Sequence, residues 1–243
     1  FYLPGIILQH PNKSNPTHIA EYHEQPKLAS IFRESDRWAH ILGVPDVGAL
    51  NELITSGKSG EIIRVAEALH EKKIAQIADT IANEKERLRI ILIAGPSSSG
   101  KTTFSQRLIV QLRVNGLRPI SISLEDYFLD RDKTPLGDDG KPDFEALEAI
   151  DLRLFNQQLA QLIQGKEVIV PRYNFHTGKR EYPDIPTKIE KDQPIIIEGI
   201  HGLNERLTAS IPKENKFKIY VSALTQLGID NHNRISTTDT RLL

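Results

Sequence analysis

Hydrophobic positions change their period along the chain, and each change marks an element. Ile62, Val65, Ala66, Leu69, Ile77 and Ile81 fall near helical spacing, which predicts one long amphipathic helix over 59–83 with charges on its other face. Upstream, residues 1 to about 30 lack periodicity and hold Pro4, Pro11, Pro16 and Pro26, so extended or loop structure is expected there. A polar connector over 83–89 leads to a short apolar run at 90–94, the signature of a buried strand. A helix is expected over 101–113, with Phe104, Leu108 and Leu112 on one face and Asn115-Gly116 as its stop, followed by a strand over 120–124.

Strand, crossover helix and strand of this length form a βαβ unit, which demands a parallel sheet and a right-handed connection. Apolar runs at 168–170, 194–197 and 217–221 predict further strands, and 151–164 predicts a helix ended by Gly165. The expected fold class is α/β, with a doubly wound, mainly parallel sheet and a smaller, mainly helical N-terminal region. The expected division is 1–86 for that region, ending in the long helix, and 87–243 for the α/β domain.

Composition narrows the class without changing this picture. The chain has 243 residues, 39% hydrophobic and 26% charged, which excludes disordered and collagen-like classes. Its formal net charge of −1 gives no bulk drive toward nucleic acid or anionic lipid. No apolar stretch approaches the roughly 20 residues of a spanning helix, so no membrane partner is expected. Cysteine is absent, which removes disulfides, thiolate zinc sites and a cysteine nucleophile, and fits a cytoplasmic protein. Methionine is absent too, and the Thr240-Arg241-Leu242-Leu243 end lacks a helix stop, both features expected of a piece of a longer chain.

The strongest chemical signal is Gly95-Pro-Ser-Ser-Ser-Gly100-Lys101-Thr102, a full G-x-x-x-x-G-K-[ST] phosphate loop between a strand and a helix. Glycines let backbone N–H groups wrap phosphates, and the helix N-terminus adds its positive dipole end. Lys101 supplies a movable charge for the β- and γ-phosphates, and the Thr102 hydroxyl can ligate Mg²⁺. Gly95, Pro96, Ser97, Ser98, Ser99, Gly100, Lys101, Thr102 and Thr103 are therefore the candidate nucleotide-binding residues, for ATP with Mg²⁺. Gly57-Lys58-Ser59 imitates the end of this motif, but Glu52 stands at its first glycine and no strand precedes it, so a polar turn is expected.

Two acids lie where a parallel sheet would bring them to the phosphates: Asp126, just past the 120–124 strand, and Glu198, ending the 194–197 strand. Such acids can accept a hydroxyl proton or hold Mg²⁺, as in-line phosphoryl transfer requires, so Thr102, Asp126 and Glu198 are the candidate metal ligands.

The phosphate loop, Ser123-Leu-Glu-Asp126-Tyr-Phe, Pro171-Arg-Tyr173-Asn-Phe175, Ile195-Ile-Ile-Glu198-Gly199 and Asp239-Thr240-Arg241-Leu242 together resemble the uridine kinase and phosphoribulokinase family over 88–243. The resemblance implies a P-loop kinase that phosphorylates a hydroxyl of a small metabolite, most simply the 5′-hydroxyl of uridine or cytidine. It implies that Asp126 takes the hydroxyl proton, that Glu198 organises Mg²⁺, that Asp143 holds ribose hydroxyls and that Tyr173 stacks on the base. A helix N-cap is the competing reading of Asp143, and core packing that of Tyr173. The histidine that family members carry a few residues past the tyrosine is displaced here to His176, so Lys179 or Arg180 is a candidate contact for a different, more anionic acceptor, a solvated hairpin tip being the competing reading. Arg241 opens what the resemblance implies is an arginine-rich lid continuing beyond Leu243.

The N-terminal part resembles, more weakly, the threonyl-tRNA synthetase-related accessory region of some bacterial uridine kinase-like proteins, through Phe32-Arg-Glu to Trp38 and Ala66-Glu-Ala-Leu-His-Glu-Lys-Lys73. No catalytic set is visible there, and a regulatory or homo-oligomerising role is expected. Kinases for other hydroxylated metabolites, such as a sugar phosphate or pantothenate, and a nucleotide-binding regulatory module that has lost catalysis remain alternatives. The presence of both Asp126 and Glu198 favours catalysis.

Overall fold

The computed structural model describes residues 9–21, 23–190, 192–209, 211–222, 227–230, 233 and 235. Three helices come first: α1 (Pro26–Leu42), α2 (Val47–Thr55) and α3 (Ser59–Asn83). Then follow β1 (Ile90–Ala94), α4 (Lys101–Val114), β2 (Ile120–Ser123), α5 (Leu152–Ile163), β3 (Arg172–Asn174), β4 (Lys179–Glu181), β5 (Ile195–Glu198) and β6 (Lys216–Tyr220). The loop expected through residue 30 is shorter, because Pro26 opens α1 at a position where its missing N–H costs nothing. Gly43, at φ 66°, closes that helix, its N–H donating to the His40 carbonyl while the Val44 N–H donates to the Ala39 carbonyl.

The sheet order is β2-β5-β1-β6, with every pair parallel. β1 lies at the centre and is buried along its whole length, as a strand covered on both faces must be. Its alternation divides the core. Ile90 and Leu92 face α5 residues Phe155, Leu159 and Leu162, whereas Ile91 and Ile93 face Phe104, Leu108 and Leu112 of α4. The second core also takes in Ile74, Ala78 and Ile81 of α3, all fully buried. Arg107 on α4 pairs with Glu71 on α3 at 2.6 Å, beside a hydrogen bond from Gln111 to the same carboxylate. The Gly57-Lys58-Ser59 sequence forms the turn into α3, with Gly57 at φ 78°.

One expected strand does not join the sheet. Val168 makes only an isolated antiparallel bridge to Thr187, because the chain leaving α5 runs directly into the two-stranded β3–β4 hairpin. Its strands, three residues each, are too short for the hydrophobic pattern to mark, and they supply the hairpin that is the competing reading of Lys179 and Arg180. Among the described residues, no helix is long and apolar enough to cross a membrane.

Candidate active site

The phosphate loop leaves the carboxyl end of β1 and enters α4. A Cβ added to Gly95 would lie 2.0 Å from the Val221 carbonyl oxygen, so the chain can turn there only without a side chain. Ser98 (φ 58°) and Gly100 (φ 86°) both adopt left-handed backbone, a conformation that turns successive N–H groups toward one concavity. No side chain caps α4, whose first N–H groups remain available to an anion. Lys101 Nζ donates to the Pro96 carbonyl at 2.9 Å, folding back across the loop.

Sheet order places β5 next to β1, and this brings Glu198 to the loop. The Thr102 hydroxyl donates toward both Glu198 carboxylate oxygens at 3.1 Å. A cleft of about 400 Å³ lies here, lined by residues 97–103 and by Ser123, Glu125, Glu198 and Gly199. A larger groove of about 980 Å³ between α1, α3 and β6 is mostly apolar and is lined by none of residues 95–103. Of the candidate phosphate-binding residues, 97–103 line the smaller cleft.

The acid of β2's exit that lines this cleft is Glu125, which sequence reasoning passed over. Residues Leu124–Tyr127 form a 3-10 turn, in which successive side chains diverge by about 120°. Adjacent acids therefore face different ways. Asp126 Oδ1 accepts the Tyr173 backbone N–H at 3.2 Å, fastening the β3–β4 hairpin to the end of β2. Burial raises the Asp126 carboxyl above its ordinary value, against lowering by the Tyr173 N–H and Arg172. Burial likewise raises Glu198, opposed by the Thr102 hydroxyl, with Glu125 and Asp126 repelling it and Lys101 attracting it.

Hard oxygen donors at Thr102 and Glu198, in a negative field to which Glu125 and Asp126 contribute, fit a magnesium ion. Among the described residues no three acids or histidines converge to hold a metal unaided. That also suits Mg²⁺, which is bound through one or two protein oxygens together with phosphates and water.

The remaining candidates lie on the far side of the 3-10 turn. Asp143 Oδ1 accepts the Glu145 N–H at 2.9 Å in a tight turn, and the helix that an N-cap would start is absent, a 3-10 turn at Leu147–Ala149 following instead. Tyr173, the expected stacking residue, is only 5% exposed, its ring met edge-on by Phe128 (5.6 Å), Phe144 (6.1 Å) and Phe175 (5.0 Å). The open ring of this cluster is Phe175, 54% exposed. Arg180 is similarly engaged. Its guanidinium pairs with Asp151 at 3.0 Å and its N–H reaches Asp130 Oδ1, so it anchors the hairpin rather than presenting a free cation. Arg241 lies outside the described residues.

The chain matches the model of the phosphoribulokinase / uridine kinase family over residues 90–235. It is 32% identical over 127 residues to a uridine kinase of Ligilactobacillus salivarius, covering 51% of this chain and 57% of the relative. Against a uridine kinase of Lactobacillus johnsonii it is 34% identical over 122 residues, covering 50% and 56%. The chain thus spans little more than half the length of these relatives. A solved structure of a possible uridine kinase from Bacillus stearothermophilus aligns with TM-score 0.46 and 21% identity over 59% of this chain and 78% of the other.

Proposed function

The chain belongs to the phosphoribulokinase/uridine kinase family, and from that premise we propose that it transfers the γ-phosphoryl group of ATP to a hydroxyl of a small metabolite, the 5′-hydroxyl of uridine or cytidine. The observation that carries the reading is Thr102 and Glu198 meeting at the mouth of the phosphate loop, with Glu125 lining the same cleft. Mg²⁺, when bound by Thr102, Glu198 and the phosphates, neutralises charge on the donor.

The loop N–H groups and the α4 N-terminus hold the phosphates, while Lys101 exchanges the Pro96 carbonyl for phosphate oxygen. Glu125 accepts the acceptor's hydroxyl proton as its oxygen bonds to the γ-phosphorus and the bond to the β,γ-bridging oxygen breaks, releasing ADP. This moves the proton-accepting role expected of Asp126 to its neighbour, and leaves Asp126 to position the hairpin. Asp143 offers its second carboxylate oxygen to sugar hydroxyls, and Phe175 offers the exposed ring face to a base.

ADP release measured with ATP, Mg²⁺ and a panel of uridine, cytidine, a sugar phosphate and pantothenate tests the reading. Turnover confined to pyrimidine nucleosides supports it. Turnover of another acceptor keeps the kinase and overturns the nucleoside, and ATP binding without any turnover overturns the catalytic reading.

A further inference from the structure

His201 stands three residues beyond Glu198, in a turn that the fold holds tightly. Gly199 N–H donates to the Ile93 carbonyl, Gly202 N–H to the Gly199 carbonyl and Asn204 N–H to the His201 carbonyl. A Cβ at Gly202 would lie 2.7 Å from the Ile93 oxygen, so the turn sits directly against β1. From this fixed base the His201 ring reaches across 56 residues of sequence, its Nε2 lying 2.8 Å from the Glu145 carbonyl oxygen. A carbonyl only accepts, so Nε2 carries the proton in this contact.

The same peptide segment is held from its other side, since Glu145 N–H donates to Asp143 Oδ1. Between these two bonds lies Phe144, whose ring packs on Phe128 (5.2 Å) and Tyr173 (6.1 Å). The His201 contact is solvent-exposed, as is a second tie between the two loops, Arg206 to Glu148 at 3.1 Å, which joins two longer side chains and contributes little. We propose that His201 is a positioning residue for acceptor binding: its Nε2–H fixes the 143–145 turn, and with it Asp143 and Phe144, relative to the Glu198 end of β5. This rests on reading the site as a kinase with its acceptor beside Asp143.

The test compares His201→Leu, which fills similar space without a donor, with His201→Gln, whose amide can donate to the same carbonyl. With uridine as acceptor, the leucine variant is expected to raise the uridine KM about tenfold, the loss of one well-placed bond, with kcat and the ATP KM within about twofold. The glutamine variant is expected to recover most of that loss. An unchanged uridine KM in His201→Leu, or an equal loss in His201→Gln, overturns the proposal. Two spectroscopic readouts work without turnover: nitrogen NMR of the wild-type ring, expected to show the Nε2–H tautomer, and Glu145 amide exchange, expected to be slow in wild type and faster in His201→Leu. An Nδ1–H tautomer, or a rapidly exchanging wild-type amide, overturns the proposal even where a variant fails to fold. Lack of uridine turnover by the wild type overturns the acceptor assignment instead, and the clamp is then judged by tautomer and exchange.

Discussion

The Thr102 hydroxyl and the Glu198 carboxylate meet at 3.1 Å although 96 residues separate them in sequence. Thr102 arrives on the first turn of α4 and Glu198 on the last position of β5, and parallel pairing in register, with Ile93 opposite Glu198, makes them neighbours. The sheet register itself therefore sets this contact, which joins the first turn of α4 to the carboxyl end of β5.

Lys101→Ala is expected to abolish measurable turnover, by about 10²–10³ in kcat, because it removes preorganised charge from the transferring group. Among the described residues its Nζ bonds the Pro96 carbonyl alone, so the circular dichroism spectrum should be unchanged. Steady-state kinetics on the folded variant decide it, and near-normal activity would remove the phosphate loop from the mechanism.

Glu125→Gln and Asp126→Asn separate proton transfer from positioning. The first should lower kcat by about 10²–10⁴ while leaving ATP affinity within a few-fold. The second keeps an oxygen for the Tyr173 N–H and should cost far less in kcat. The reverse order of effects would return the base to Asp126.

The raised carboxyls of Glu198 and Asp126 set the sign of a pH effect on nucleotide-free protein. Between the ordinary carboxylate range and their raised values, the folded chain keeps protons that the unfolded chain has released. Their contribution to stability is therefore fullest below that window and is lost as pH rises through it. Glu198→Gln should flatten this slope and raise Tm at neutral pH, while preventing Mg²⁺-dependent turnover. Thermal melts across pH 4–8 check it, and a Tm lowered at neutral pH would contradict the sign.

Phe175→Ala is expected to raise the KM for a nucleoside acceptor about tenfold, within the range of a lost base–aromatic stack. Tyr173→Phe should barely change it, the Tyr173 ring being enclosed. If Tyr173→Phe has the larger effect on KM, the stacking surface is misassigned.

Much of this was legible where the pattern is local. The strand at 90–94 and the helix over 59–83 have the expected bounds, because a continuous apolar run and a helical period are each set by near neighbours. Asp151 and Gly165 likewise mark the ends of α5. What was illegible depends on direction or on distant partners. Glu125 and Asp126 are chemically alike in sequence, and it is the 3-10 turn that sets one along the cleft and the other against the hairpin. Tyr173 is enclosed by rings from residues 128 and 144, far outside any window in which its period could be read. Neither α1 nor α2 is read from the pattern, although Pro26 and Gly43 bracket the first, since neither helix has a buried residue and a proline-rich stretch leads into α1.

α3 lies upstream of residue 90, where the family match begins, yet its Ile74, Ala78 and Ile81 close the same core as Ile91, Ile93 and Phe104. The stretch of chain that carries the ancestry is therefore shorter than the stretch that hides its own greasy face. Cut at the family boundary, a fragment would present that bare face to water and to its own copies, and would clump before it could be assayed.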